Sequence, residues 1–290
     1  MSGGMASLAS RVRNRIRVEW RIRVRPVILA GLVHLRWARR RPGKPHRFST
    51  PLVVSLTSYP SRFRCLGLTL KCLLTQTVCA DRIVLWIAHD DKGALPDDLS
   101  HLVKSGLDIR YCQDLLSYKK IIPLLREMPE AVIVTADDDI YYWPTWLEEL
   151  VRAHATDPQS VLCHRANRMR LDGKGRPAPY KSWQFDIQEE ENSELTFPTG
   201  IAGVLYPPGA FFQDVLREDI FLELCPRGDD IWLHWMVRLN GRRSRKIGPR
   251  RILTCWPNSQ ATALTLENLE KGGNDRQIRA VMERYGFPNV

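Results

Sequence analysis

The 290-residue chain carries 43 Lys and Arg against 32 Asp and Glu, a net charge of +11, with 44% hydrophobic and 9% aromatic residues. That length and apolar content exclude a wholly disordered chain and suffice for one large domain or two small ones with a real core. The charge is localised: residues 1–50 hold 13 basic residues and one acid, Glu19, whereas residues 51–290 hold 30 and 31, a balance that argues against a body built to clamp nucleic acid.

Residues 1–50 read as a basic amphipathic N-terminal arm. The run RVRNRIRVEWRIRVR alternates Arg with apolar residues, and Arg36, Arg39, Arg40 and Arg41 follow. Between them Val27–Val33 is too short to span a bilayer and carries no cleavage site. Pro26 suits the first turn of a helix carrying Ile28, Leu29, Leu32, Val33 and Leu35, and Trp20 and Trp37 flank the apolar run as interfacial tryptophans do. These features predict that residues 1–47 rest on an anionic membrane surface and that the protein is cytoplasmic and peripheral on the inner face. A solvated tail or a nucleic-acid contact is the other reading of the same charge.

Pro42, Gly43, Pro45 and the run up to Pro51 read as a linker, after which strands and helices alternate. The expected strands are Leu52–Thr57, Arg82–Ala88, Leu107–Cys112 and Ala131–Ala136. Between them come expected helices over Leu66–Gln76, Leu99–Lys104 and Tyr118–Met128, the last interrupted by Pro123. Next come a helix over Pro144–Ala155, a strand over Val161–His164, a polar, mobile excursion over 172–198, and a strand over Gly200–Tyr206. The chain closes with a helix over Asp229–Leu239, a strand over Ile252–Trp256, and helix within Leu264–Tyr285. This alternation predicts an α/β fold, a Rossmann-like αβα sandwich with a mostly parallel central sheet over residues 51–290. Ligands of such sheets bind beyond the carboxyl ends of the strands.

The seven cysteines form no CxxC or CxxH pair and mostly sit in apolar runs, so they read as reduced, buried thiols. Cys65, Cys72 and Cys79 recur every seven residues, which puts at least the first two on one helix face, a core pattern.

AVIVTADDDIYYW is the most informative segment. Asp137, Asp138 and Asp139 leave a buried strand together, and in an extended chain Asp137 and Asp139 point to one side and Asp138 to the other. Adjacent like charges call for a positive partner. A Mg2+ or Mn2+ ion bridging Asp137 and Asp139 to a diphosphate supplies one, because such ions accept one or two carboxylates and complete their shell with phosphate and water. In the first loop Ser58 and Tyr59 can bond or stack on a base, and Arg62 can meet a phosphate. Ser117 is placed to cap a helix starting at Tyr118, which makes its N-terminus with Lys119 and Lys120 an anion site. Gly228-Asp229-Asp230 opens a late helix, where one carboxylate can cap and the other can serve as a base. Gly200 and Gly203 allow close backbone approach. Trp232 and Trp235, at helical spacing, read as core, and His164 as a core or surface histidine, while Trp183 can stack on a sugar face.

Together VVSLTSYPSR at 53–62, LLTQT at 73–77, SYKKIIP at 117–123, VTADDDIYYWPTWLEEL at 134–150, TGIAGVLYPPG at 199–209 and GDDIWLHWM at 228–236 resemble the nucleotide-sugar glycosyltransferases of the GT-A fold, close to the family-two-like enzymes of bacterial polysaccharide biosynthesis. The resemblance covers about residues 51–256. It implies that Thr57, Ser58, Tyr59, Arg62 and Asp137 contact the nucleoside end of a nucleotide-diphosphate sugar, and that Asp139 binds the metal on its diphosphate, with Asp138 and the two lysines around the donor. It also implies an inverting reaction with a glycan or lipid-linked acceptor, in which Asp230 is the base and Asp229 its support. Relatives carry Gly-Glu-Asp at that place, so Asp229 departs from the pattern. The C-terminal histidine of some relatives is absent, since none follows His234; water, phosphate or Asn274–Asp275 would complete the metal shell. The competing readings are another metal-assisted phosphate-transfer enzyme, such as a nucleotidyltransferase, and a non-enzymatic membrane-surface or RNA-binding protein.

Overall fold

The computed structural model describes residues 17–257, Ser259 and 272–288, together with Ser10 and Arg15. Most of the arm before residue 17 and positions 264–271 of the expected late helix lie outside the described residues.

The arm contributes a π-helical turn, Trp20–Val24, that runs into helix α1, Arg25–Ala38. Next come β1 (Leu52–Thr57), α2 (Phe63–Leu73), β2 (Arg82–Ala88), the short α3 (Ser100–Val103) and β3 (Leu107–Cys112). They are followed by α4 (Ile122–Glu127), β4 (Val132–Ala136), α5 (Trp146–Thr156), β5 (Val161–Cys163), β6 (Ala166–Arg168), β7 (Glu191–Ser193) and β8 (Thr196–Pro198). The chain closes with β9 (Val204–Tyr206), α6 (Glu218–Leu224), α7 (Asp229–Leu239), β10 (Ser244–Lys246) and α8 (Gly273–Tyr285).

Eight strands form one sheet in the order β3-β2-β1-β4-β9-β5-β10-β7, and β6 and β8 pair separately. Strands β3, β2, β1 and β4 are parallel neighbours, and only β9 and β7 run against the rest. The pleat sorts the apolar runs onto two faces. Val53, Val84 and Ile133 pack with Tyr118, Leu124, Trp232 and Trp235 on one side. Leu52, Val54 and Leu56 pack with Leu66, Leu70, Trp146 and Leu150 on the other. The result is a three-layer α/β architecture, as the alternation predicts. Helix α2 shows why: Phe63, Leu66, Leu70 and Leu73 recur at helical spacing, and all four are buried. Each such burial contributes roughly 2 kcal/mol. All seven cysteines are free, and Cys65 and Cys72 share the buried face of α2; Cys163 and Cys225 are also buried, but against expectation Cys112 and Cys255 are half-buried and Cys79 is exposed. Strand order reverses direction at β1, whose neighbours are β2 and β4, so the crevice beyond the ends of β1 and β4 is the topological switch point.

Several expectations need correction. Tyr118–Met128 is not one helix: a 3-10 turn, Leu116–Lys120, precedes α4, because Leu116 takes a positive φ of 53° and Pro123 can only sit in a first turn. The strand expected over Gly200–Tyr206 starts only at Val204, since Gly200–Ala202 is a 3-10 turn and Gly203 turns the chain at φ 86°. A Cβ at Gly203 would lie 2.5 Å from the Trp146 ring. Ile252–Trp256 makes only an isolated bridge, Ile140 with Cys255. Residues 172–198 are structured, with Tyr180, Trp183, Ile187 and Phe197 buried and β7 and β8 inside the span. The expected linker is pinned, with Lys44 N–H donating to Thr77 O (2.8 Å) and Cys79 N–H to Lys44 O (2.9 Å).

Candidate active site

Two ion-pair clusters meet at the switch point, joined by the consecutive acids that end β4. The first forms because the chain leaves β1 into the Tyr-Pro turn, and the 3-10 turn Pro60–Arg62 swings the guanidinium back toward β4. Arg62 Nη1 lies 2.9 Å from Asp138 Oδ1 and 2.9 Å from Asp139 Oδ2. Its Nε donates to Tyr59 Oη (3.1 Å), and its guanidinium sits 5.5 Å from the centre of the Tyr59 ring. Ser58 Oγ donates to Asp138 Oδ2 at 2.5 Å. Burial pushes Asp138 up, against Arg62 and Ser58. Burial likewise lifts Asp139 to about 6, aided by Asp137 and Asp138 and opposed by Arg62 and a hydrogen bond from Ser259. For Arg62 burial acts downward, but the two carboxylates outweigh it and the guanidinium stays charged.

The second cluster is centred on Lys120. Its buried ammonium reaches Asp137 Oδ1 (3.2 Å) and Asp229 Oδ2 (3.0 Å), tying the end of β4 to the start of α7. Burial alone would lower this lysine, but Asp137, Asp229 and Asp230 hold it well above its ordinary value. Ser117 Oγ donates to Asp229 Oδ1 at 2.8 Å. Burial would raise Asp229, yet Lys120 and Ser117 keep it below the usual carboxylate range. Asp230 differs although it is the next residue. Its two oxygens share one donor, Gly200 N–H, at 3.1 Å each. Burial first and the Asp229 charge second lift it to about 7, against Lys120 and Gly200. The α7 N-terminus favours anions, but its two acids share Lys120, so Asp229 ionises first and Asp230 is left to titrate near neutrality.

The structure redistributes the sequence-predicted residues. Asp137 and Asp139 do not share a partner: the chain turns at Asp138–Asp139, so Arg62 pairs Asp138 with Asp139 and Lys120 takes Asp137. The positive partners that the triplet calls for include these two side chains. Ser117 is not a helix cap but a ligand of Asp229. Neither lysine is solvated: Lys119 is buried and pairs with Asp114, away from Lys120. The Thr57 hydroxyl donates to Trp86 O (2.9 Å), which turns it toward β2. Asp229 and Asp230 are the first residues of α7, and neither caps it through its side chain. Trp183, Trp232, Trp235 and His164 are buried, and His164, pushed down by burial to about 4, bonds Trp146 O. Asp275 Oδ1 accepts from Tyr180 N–H, which engages it away from the acid triplet.

Sequence reasoning missed Tyr142 and the role of residues 252–257 as a strap. Tyr142 Oη accepts the Asp137 N–H at 2.7 Å, and the YYW run after the triplet is the signal for it. The strap crosses the triplet, with Trp256 N–H donating to Asp139 O (2.8 Å) and Tyr141 N–H to Thr254 O (2.9 Å). Gly200 has a stricter role than close packing, because a Cβ there would lie 3.0 Å from both Asp230 Oδ1 and Lys120 Nζ.

Among the described residues no three His, Cys, Asp or Glu side chains gather as a metal cage. A divalent ion that relies on substrate phosphate and water needs only one or two carboxylates. Asp137 fits that role, its side chain being 27% exposed against 6% and 3% for Asp138 and Asp139. Asp139 is engaged by Arg62 and nearly closed to solvent. No protein-family model and no curated protein matches this sequence.

Proposed function

We propose that the chain is a GT-A-like, metal-dependent, inverting glycosyltransferase that moves a sugar from a nucleotide-diphosphate donor to a glycan or lipid-linked acceptor. The observation that carries this reading is the unequal pair at the start of α7: Asp229 held ionised by Lys120, and Asp230 lifted to about 7. A carboxylate near neutrality is a suitable general base for a sugar hydroxyl. It sits across the switch-point crevice from the acids of β4, where such folds take a nucleotide.

In this reading Ser58, Tyr59 and Arg62 hold the nucleoside and phosphate, and Asp137 with Asp139 holds Mn2+ or Mg2+. The bound ion offsets charge on the departing nucleoside diphosphate. The acceptor oxygen forms its bond to the anomeric carbon as the carbon–oxygen bond to the diphosphate breaks, and the acceptor proton passes to Asp230. Lys120 holds Asp229 in place, and burial together with the Asp229 charge keeps Asp230 basic. The reading includes a cytoplasmic, membrane-peripheral location, supported by the arginines around α1; no helix among the described residues is long and apolar enough to cross a membrane. The test is Asp230→Asn, which should abolish sugar transfer while leaving binding of UDP or GDP with Mn2+ intact. Normal turnover by that variant removes Asp230 from the mechanism.

A further inference from the structure

Helix α1 has two apolar faces. Pro26, Leu29, Ala30, Val33 and Trp37 recur at i, i+3, i+4, i+7 and i+11 and turn toward the body, where Val33 is 3% exposed and the others pack against the α2 layer or are themselves buried. Shifting the same pattern back by two residues gives Val24, Val27, Ile28, Gly31 and Leu35. Two residues correspond to about 200° of rotation, so this second stripe lies on the opposite side. It is exposed: Val24 45%, Val27 65%, Ile28 52% and Leu35 47%, with Leu32 at 52% beside it and Trp20 at 47% one turn before. A docked helix needs only one apolar face, so the outer one calls for a partner of its own.

Charge identifies that partner. Between residues 17 and 41 the chain carries eight arginines (Arg17, Arg21, Arg23, Arg25, Arg36, Arg39, Arg40 and Arg41) and a single acid, Glu19. Six of the arginines are exposed; Arg25 and Arg36 instead anchor the helix to the body, donating to Ile252 O and Thr75 O. A stripe about 20 Å long, apolar along its centre and flanked by arginines at both ends, matches the acyl boundary and anionic headgroups of a bilayer. A protein partner of this length would have to be both apolar and strongly acidic.

We propose that α1 lies in the plane of an anionic membrane, inserting Trp20, Val24, Val27, Ile28, Leu32 and Leu35 while its inner face stays docked on the body. The Arg25–Ile252 contact ties this anchor to the strap over the acids of β4, and Ile252, itself 52% exposed, continues the apolar surface. The candidate active site is thereby held beside the bilayer. The inference rests on the transferase reading only for its consequence, that a lipid-borne acceptor meets the site.

The test is co-sedimentation of the full chain with phosphatidylglycerol–phosphatidylcholine vesicles and with phosphatidylcholine vesicles alone. The expected result is binding to the anionic vesicles, reduced about tenfold or more by the double substitution Val27→Glu and Ile28→Glu and weakened by salt. Both positions are solvent-exposed, so the variant should melt like the wild type and keep its nucleotide response, which separates loss of the membrane contact from failure of the catalytic reading. Absence of vesicle binding, or equal binding by the variant, overturns the proposal. So does a concentration-dependent dimer broken by the same glutamates, or retention on RNA, in the absence of vesicle binding.

Discussion

If the fold raises Asp230 to about 7, then removing its capacity to ionise should stabilise the protein where the wild-type carboxyl is charged. A folded-state carboxyl at about 7 against an ordinary 3.8 corresponds to a ceiling of ~4 kcal/mol at ~1.4 kcal/mol per pH unit. Water reaching this partly exposed group reduces that to about 2 kcal/mol. The sign follows from proton counting. Between these two values the folded state binds more protons than the unfolded state, so wild-type stability is fully present near pH 4 and declines as the pH rises through about 7. Asp230→Asn cannot ionise and keeps an oxygen to accept from Gly200, so it escapes the decline. Asp138 and Asp139, also raised, act in both proteins and cancel from the difference. Thermal melts should show the variant near the wild type at about pH 4 and roughly 4 °C above it at about pH 8, taking about 2 °C per kcal/mol for a chain this long. A variant equal to or less stable than the wild type at the higher pH would refute the account of why Asp230 is raised.

Two further substitutions probe the same crevice. Lys120→Met leaves Asp137 and Asp229 without their shared cation and should cost about 3–5 kcal/mol at neutral pH by chemical denaturation, with partial recovery in acid as the carboxylates protonate. An unchanged denaturation midpoint would mean that the lysine does not hold the cluster together. Gly203→Ala, placed at φ 86° with its Cβ 2.5 Å from the Trp146 ring, should cost about 2 kcal/mol or more, and a neutral result would show that β9 can shift away from α5.

The elements that position the site were legible where the chain's own periodicity sets them. β1, β2 and β4 are short runs rich in β-branched residues and buried on both faces, and the acids stand where the last of them ends. β10 was hidden because Ser244–Lys246 is polar, and it joins the sheet through pairing with β5 and β7, with Arg245 bonded to Glu190. The apolar run Ile252–Trp256 looked like a strand, but its residues cover the acid triplet and contact α1. Within the site the residue types were readable and their pairings were not. Arg62 and Lys120 stood out as phosphate ligands, yet they hold acids distant in sequence, because the turn at Asp138 breaks the alternation assumed for an extended chain. The near-neutral body proves to have its balance written locally, with basic side chains placed directly on the acids.

The central claim is that the crevice beyond the ends of β1 and β4 binds a nucleoside diphosphate with a divalent ion. The most direct measurement is the melting temperature of the full chain with UDP or GDP, with and without Mn2+, repeated after chelation and in Asp139→Ala and Asp137→Ala. Asp137 is the more open of the two and the less exposed to the objection of misfolding. The account predicts that one of the two nucleotides raises the melting temperature with Mn2+, and that chelation and either variant remove the rise. No response to either nucleotide under any of these conditions, or a rise that persists in both variants, would contradict it.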